Sequence, residues 1–192
     1  MHSFGLAIAA TLALCLGCGN TSAAAARPTA VTVNPNQTDP LKRSGPARFV
    51  TLANIHERIR ATSGDLVLLH LWATWCAPCM AELSTMADMA RSLPRRNIEL
   101  LSVSMDNATR KNALRVSQVI DKRADGLLTR AIARIENDDA FMQGLDPRWE
   151  GSIPAIMAYL PSGQMVGALY GEASGDEIQR FVNGLLVKRK AQ

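Results

Sequence analysis

Downstream of residue 48 the apolar positions fall into short runs and helical stripes. Leu66 to Ala73 is apolar throughout except for His70, the pattern of a strand buried on both faces of a sheet. Ile98 to Met105 is a second buried strand, and Phe49 to Leu52 a shorter one, followed by a helix over residues 54–61. Met80, Leu83, Ala87 and Ala90 recur at i, i+3, i+7 and i+10, so they form one apolar stripe on a helix that Pro94 follows. Pro154 to Leu160 and Met165 to Tyr170 are two strands whose connection, Pro161-Ser162-Gly163, signals a hairpin. The last helix opens with a capping box, Ser174 and Glu177, and buries Ile178, Phe181, Val182 and Leu185. Residues 107–144 read as polar and helical. The order β-α-β-α-β-(α)-β-β-α predicts an α/β domain over residues 48–192, a mixed central sheet with helices on both faces. The chain contains no internal repeat and no glycine-rich phosphate loop.

The N-terminal region is organised differently. Phe4 to Gly17 is hydrophobic, too short to span a bilayer comfortably, and has the Ala/Leu composition of a signal-peptide core. Two processing sites compete. Leu16-Gly17-Cys18 resembles a bacterial lipobox, which would end the signal peptide at residue 18 and lipidate Cys18, although Cys15 stands where that pattern prefers leucine. Ordinary cleavage within Ala23-Ala24-Ala25-Ala26 would remove residues 1–26 instead. Both routes take the chain out of the cytoplasm, and the first leaves it as a membrane-anchored lipoprotein. Gly19 follows Cys18, which leaves an outer-membrane location open. Residues 19–47 are polar and punctuated by Pro28, Pro35, Pro40 and Pro46, without period, and read as a disordered tether. Such a tether would reach about 30 Å.

Composition narrows the function classes. Of 192 residues 47% are hydrophobic and 20% charged, as in ordinary globular proteins, so disorder throughout is excluded. The net charge of +4 comes from scattered Lys and Arg residues, with one cluster at Lys188, Arg189 and Lys190. With 5% aromatics and no basic stripe, a nucleic-acid platform is not expected.

The candidate chemistry sits in Trp75-Cys76-Ala77-Pro78-Cys79, after the buried strand and in the first turn of the next helix. Free N–H groups and the dipole at a helix N-terminus stabilise a thiolate, the nucleophilic form of cysteine. The i, i+3 spacing lets the two sulfurs meet across one turn, so the pair can cycle between dithiol and disulfide. Pro78 is tolerated because first-turn N–H groups have no intrahelical partner. A structural zinc site needs four ligands, and beyond this pair the processed chain offers His56 and His70. Covalent haem attachment needs histidine directly after Cys79, where Met80 stands. A structural disulfide closing so short a loop would constrain little of the unfolded chain. Met80, Met86 and Met89 at helical spacing read as core filling rather than a copper site.

Residues 68–79, Leu68-Leu69-His70-Leu71-Trp72-Ala73-Thr74-Trp75-Cys76-Ala77-Pro78-Cys79, resemble the active-site strand and helix start of the TlpA/ResA-like thioredoxin family of exported thiol–disulfide oxidoreductases. Trp149-Glu150-Gly151-Ser152-Ile153-Pro154-Ala155 resembles that family's second signature, which ends in a cis-proline. Ser102 to Asp106 and Gly163 to Val166 fall where the family has its next strand and its hairpin. The resemblance implies a thioredoxin-like fold and a catalytic set of Cys76, Cys79, Pro154 and Glu82. Cys76 would be the exposed attacking thiolate and Cys79 the buried resolving cysteine. Pro154 would pack in cis against the sulfurs, whereas on its own sequence it could equally open an edge strand. Trp75, Ala77, Pro78 and Ile153 would line the substrate site. Glu82 would exchange protons with the thiols, or else face solvent and suit the helix dipole. His70 departs from the buried aspartate common at its position in thioredoxins, and reads as a core residue or as a proton relay.

The implied activity is disulfide reduction in the cell envelope, with no cofactor beyond the Cys76–Cys79 disulfide. Its substrates would be oxidised exported proteins, apocytochrome c among them, and a membrane thiol-transfer protein would recharge it. An oxidase or isomerase is the nearest rival. An envelope Cu(I) metallochaperone, using the two cysteines as soft ligands, is another, though no histidine follows Pro154. A partner-binding module that merely keeps the fold is a third.

Overall fold

The computed structural model describes Leu41, Arg43 and residues 45–190. The signal peptide, Cys18 and most of the tether expected over residues 19–47 lie outside the described residues. Eleven elements follow in chain order: β1 (Arg48–Val50), α1 (Leu52–Arg60), β2 (Leu66–Trp72), α2 (Ala77–Ser92), β3 (Ile98–Ser104), α3 (Arg110–Ala124), β4 (Ala131–Ala133), α4 (Asp138–Leu145), β5 (Ala155–Tyr159), β6 (Met165–Tyr170) and α5 (Gly175–Lys190). A 3-10 turn, Leu93–Arg96, absorbs Pro94 at the end of α2.

The strands form one six-stranded sheet in the order β1-β4-β3-β2-β5-β6. β1, β4, β3 and β2 run parallel, while β5 and β6 are antiparallel to their neighbours, so the sheet is mixed. β2 lies at its centre and all seven of its residues are buried, as its unbroken apolar run requires. Alternation divides them. Leu66, Leu68 and Trp72 join a core built with α2, α3 and α5. Val67, Leu69 and Leu71 join a second core with Ile55 and Ile59 of α1 and Phe141 and Leu145 of α4.

Local chemistry sets the helix starts. Thr51 and Asn54 make a reciprocal capping box on α1. The Ser174 hydroxyl accepts from the Glu177 N–H at 3.3 Å, and the Glu177 carboxylate accepts from the Ser174 N–H at 2.8 Å, as the sequence predicts for the last helix. The hairpin is also as expected, with Gly163 at φ +87° in its turn. Residues 107–144 are not simply helical: β4 separates α3 from α4 and slots between β1 and β3. Three residues are too few to display a strand period. Burial on both sides of the sheet, rather than local pattern, makes Ala131-Ile132-Ala133 a strand. The alternative of an edge-strand opening for Pro154 also fails, since β5 is paired on both sides and the edges are β1 and β6.

Candidate active site

Parallel strands β2 and β3 end side by side, with Trp72 in register with Ser104. The loop between β2 and α2 is fastened there. The Asp106 carboxylate accepts from the Thr74 N–H at 2.8 Å, the Thr74 hydroxyl at 2.6 Å and the Ser104 hydroxyl at 2.6 Å. The Met105 N–H donates to the Trp72 carbonyl at 2.7 Å. Asp106 and Thr74 are buried, so these charge-assisted bonds hold the loop without competition from water. The residue next to Thr74 is the opposite case: Trp75 is 66% exposed, its ring offered to the surface beside the cysteines.

Cys76 is the N-cap of α2, and its sulfur accepts from the Cys79 N–H at 3.2 Å. A cysteine here replaces the usual Ser, Thr or Asp cap, so a Cys76 thiolate would sit where the helix most favours negative charge. Pro78 occupies the first turn at no hydrogen-bonding cost. Cys76 and Cys79 form a disulfide with a Cα–Cα distance of 5.3 Å. Cys79 is fully buried and Cys76 is 6% exposed. Cys76 is therefore the more accessible sulfur but is not openly exposed, and Trp75 and Ala77 form the exposed rim.

The second signature reaches this point from the other end of the chain. After α4 the backbone turns at Asp146, whose carboxylate accepts from the Arg148 N–H and is clasped by the Arg148 guanidinium and the Tyr170 hydroxyl. Those donors, Arg148 foremost, outweigh burial and hold the Asp146 carboxyl down at about 2. The Trp149 indole N–H donates to the Ser152 carbonyl at 2.8 Å. Gly151 sits at φ +83° with Met142 Sδ packed where a Cβ would stand, so both conformation and space call for glycine. The loop delivers Ile153 and Pro154, joined by a cis peptide bond. The Ile153 carbonyl oxygen lies 3.7 Å from Cys76 Sγ. In the disulfide that sulfur carries no hydrogen, whereas a thiol there could donate to the carbonyl. Pro154 is buried and Ile153 half-buried.

Beneath the disulfide lie two ionisable groups that the sequence left with alternative roles. Glu82 is one turn beyond Cys79 on α2 and only 7% exposed, so the solvent-facing alternative fails. Its Oε1 is 2.9 Å from Nε2 of His70, which is fully buried on β2. The other ring nitrogen of His70, Nδ1, is 3.2 Å from the Ser102 hydroxyl on β3. Both ring nitrogens of His70 are therefore partnered. The structure thus gathers Trp75, Cys76, Ala77, Pro78, Cys79, Ile153 and Pro154 at one end of the sheet, with Glu82 below. Cys18 lies outside the described residues.

Sequence reasoning missed the roles of Asp106, Ser102 and Asp146 in holding this arrangement. For Asp106 a signal existed: a carboxylate two residues beyond a buried strand, where the neighbouring parallel strand also ends. Ser102, a small polar residue inside an apolar run, was an equally readable mark of a buried polar partner. Among the described residues no group of three or more His, Cys, Asp or Glu side chains could hold a metal ion, and no helix is long and apolar enough to cross a membrane.

Residues 50–127 match the AhpC/TSA family. The thiol-disulfide oxidoreductase ResA of Oceanobacillus iheyensis is 28% identical over 122 residues, 64% of this chain and 58% of that protein. The chain thus spans little more than half the length of that curated relative. Among solved structures, a thiol:disulfide interchange protein from Chlorobium tepidum TLS superposes with a TM-score of 0.50 at 18% identity, covering 64% of this chain and 81% of that one. A Neisseria meningitidis protein described as a thioredoxin superposes with a TM-score of 0.51 at 17% identity, covering 67% and 79%. These two likenesses concern the fold, and it is the thioredoxin fold. With that fold around a Cys-x-x-Cys pair, the AhpC/TSA match spans both cysteines and the strands and helix that carry them.

Proposed function

We propose that the protein is a thiol–disulfide oxidoreductase that reduces disulfides of exported proteins through Cys76 and Cys79. The observation that carries this reading is the placement of Cys76 as the N-cap of α2, with the Cys79 N–H on its sulfur and the Ile153 carbonyl beside it. A Cys76 thiolate attacks a substrate disulfide, forming a mixed disulfide and releasing one substrate thiolate. The Cys79 thiolate then attacks Cys76 Sγ, closes the intramolecular disulfide and releases the second substrate thiolate. The substrate gains two electrons and the cysteine pair loses two. Trp75, Ala77, Pro78 and Ile153 form the rim against which the substrate chain lies, and Pro154 packs behind Ile153. A second dithiol, which we take to be a membrane thiol-transfer protein, returns the pair to its reduced form. ResA, the relative named above, is described as a thiol-disulfide oxidoreductase, which supports the reading at that level.

The decisive measurement is the reduction potential of the Cys76–Cys79 pair, taken by equilibration with glutathione or dithiothreitol. A value below about −200 mV identifies a reductant and one near −120 mV an oxidant. Failure of the pair to equilibrate at all removes the redox reading. Location is tested separately. The apolar stretch over residues 4–17 and the Leu16-Gly17-Cys18 sequence support a lipid-anchored envelope protein. Cys18→Ser is then expected to shift the protein from the membrane fraction to soluble or unprocessed forms. Unchanged fractionation and processing point instead to cleavage near Ala26.

A further inference from the structure

We infer that α3 is the face on which the protein receives its redox partner, a protein with clustered acidic side chains beside the disulfide it exchanges. This rests on the thiol-exchange reading above and adds to it the chemistry of the partner.

Lys and Arg look scattered along the sequence, but the fold gathers their excess on one helix. α3 carries Arg110, Lys111, Arg115, Lys122 and Arg123 against a single acid, Asp121. Five cations less one acid leave +4, the net charge of the whole chain, so all other residues together sum to zero. The acids close to α3 are already engaged. Asp121 is paired with Arg130, while Asp125, at the end of the helix, and Asp88 of α2 are both paired with Arg91. Among the described residues the five cations of α3 make no ion pair.

This arrangement works against the helix itself. Arg110 and Lys111 stand in its first turn, where the dipole favours acids, and that turn holds no acid. Lys111 and Arg115 are like charges one turn apart. The fold gains nothing from either, and the groups that answer these charges lie outside the molecule.

Position and shape identify what answers them. α2 and α3 both start from the end of the sheet where Trp72 is in register with Ser104, so α3 opens on the side of Cys76. Lys111, Leu114, Arg115, Gln118 and Lys122 recur at i, i+3, i+4, i+7 and i+11, and all five are exposed on one face. Leu114, in the midst of the cations, is 55% exposed and offers an apolar contact. Lys122 and Arg123 line a cavity of about 270 Å³ with Met80, Ala81 and Ser84 of α2, the helix that Cys76 caps. A charged rim around an apolar contact, continuous with the helix of the reactive pair, suits an acidic protein surface. An anionic bilayer fits less well. A helix lying on a membrane buries its apolar face there, and the apolar face of α3, formed by Ala113, Val116, Ile120 and Ala124, is already buried in the core.

The experiment offers the reduced protein two disulfide-bonded peptides of one sequence, with Glu flanking the cysteines in one and Lys in the other. Each second-order rate is divided by that of the same peptide with dithiothreitol, a neutral thiol, which removes the peptides' own difference in reactivity. At low salt the acidic peptide is expected to react at least about tenfold faster, the lower end of electrostatic steering. The advantage vanishes near 1 M NaCl, where the screening length is about 3 Å. Lys111→Glu combined with Lys122→Gln removes the preference and leaves reaction with neutral 2-hydroxyethyl disulfide unchanged. The helix tolerates the first change, because glutamate in the first turn suits the dipole and lies one turn from Arg115. Equal rates for the two peptides in the unaltered protein, or a preference that survives in the variant, would overturn the assignment. Equal peptide rates together with binding to phosphatidylglycerol vesicles that the variant loses would give the face to a membrane instead. Failure of the unaltered protein to reduce 2-hydroxyethyl disulfide would sink the thiol-exchange reading itself.

Discussion

The Cys79 amide nitrogen stands 3.2 Å from the Cys76 sulfur, so the residue that resolves the mixed disulfide also steadies the charge of the residue that forms it. In the dithiol that N–H stabilises a thiolate on Cys76, whereas Cys79, fully buried, gains no such donor from its partner. Cys76 is therefore expected to alkylate with iodoacetamide at least about tenfold faster than Cys79 at neutral pH. Peptide mass spectrometry after brief labelling reads the ratio, and equal labelling would contradict the assigned roles.

Asp106 anchors the loop that carries the site through three donors from Thr74 and Ser104. Asp106→Ala leaves those donors buried and unpaired, with an expected loss of at least about 2 kcal/mol in urea unfolding. The rate of Cys76 alkylation should fall as well, because Cys76 loses the fixed point at Thr74, two residues upstream. A variant as stable and as reactive as the parent would show that the loop holds itself.

Exposed Trp75 offers an apolar surface beside the reactive sulfur. Trp75→Ala should lower kcat/KM for a protein disulfide by about tenfold, the scale of an interface anchor. Reduction of the Cys76–Cys79 pair by dithiothreitol, which needs no such surface, should be nearly unchanged. Loss of both would mean that the ring shapes the site rather than the docking.

The Asp146 cluster gives the fold an acid-sensitive window. Its carboxyl is held at about 2 in the folded protein, below its ordinary 3.8. A depressed carboxylate stabilises the fold fully above the unfolded value and loses that contribution as pH falls through the folded one. The steepest loss of Tm should therefore lie between about pH 4 and pH 2. Asp146→Asn should flatten that part of the Tm profile, and Arg148→Ala should move it toward higher pH. A profile with the same shape in all three proteins would exclude Asp146 as its source.

The features legible in the sequence are those that repeat or carry a spacing. β2 announced itself through the apolar run from Leu66 to Ala73 broken only by His70, α5 through its capping box, and the reactive pair through its i, i+3 interval after a strand. β4 was illegible because three residues carry no period, and its place between β1 and β3 is decided by partners distant in sequence. Glu82 was half legible. Its position on α2 followed from the stripe, but whether it met solvent or His70 depended on how closely β2 lay beneath the helix. The Asp146 cluster joins the end of α4 to the end of β6, a meeting that no local window contains.

The pairing of β1 with β4 bears on how the chain comes into being. Arg48 is in register with Ala131, while the segment just before β1 is held by the Ala47 N–H on the Ser117 hydroxyl and by Arg130 on the Gly45 carbonyl. Every one of these partners is made long after β1 itself. At ribosomal speeds of about 5–20 residues per second, the first strand waits roughly 4–17 seconds for β4, its one neighbour among the described residues. During that interval the chain already contains β2, β3 and both cysteines, while one strand stays unmatched. The last act of closing that edge of the sheet thus falls to the earliest strand of the domain, and anything that binds it in the meantime competes directly with β4.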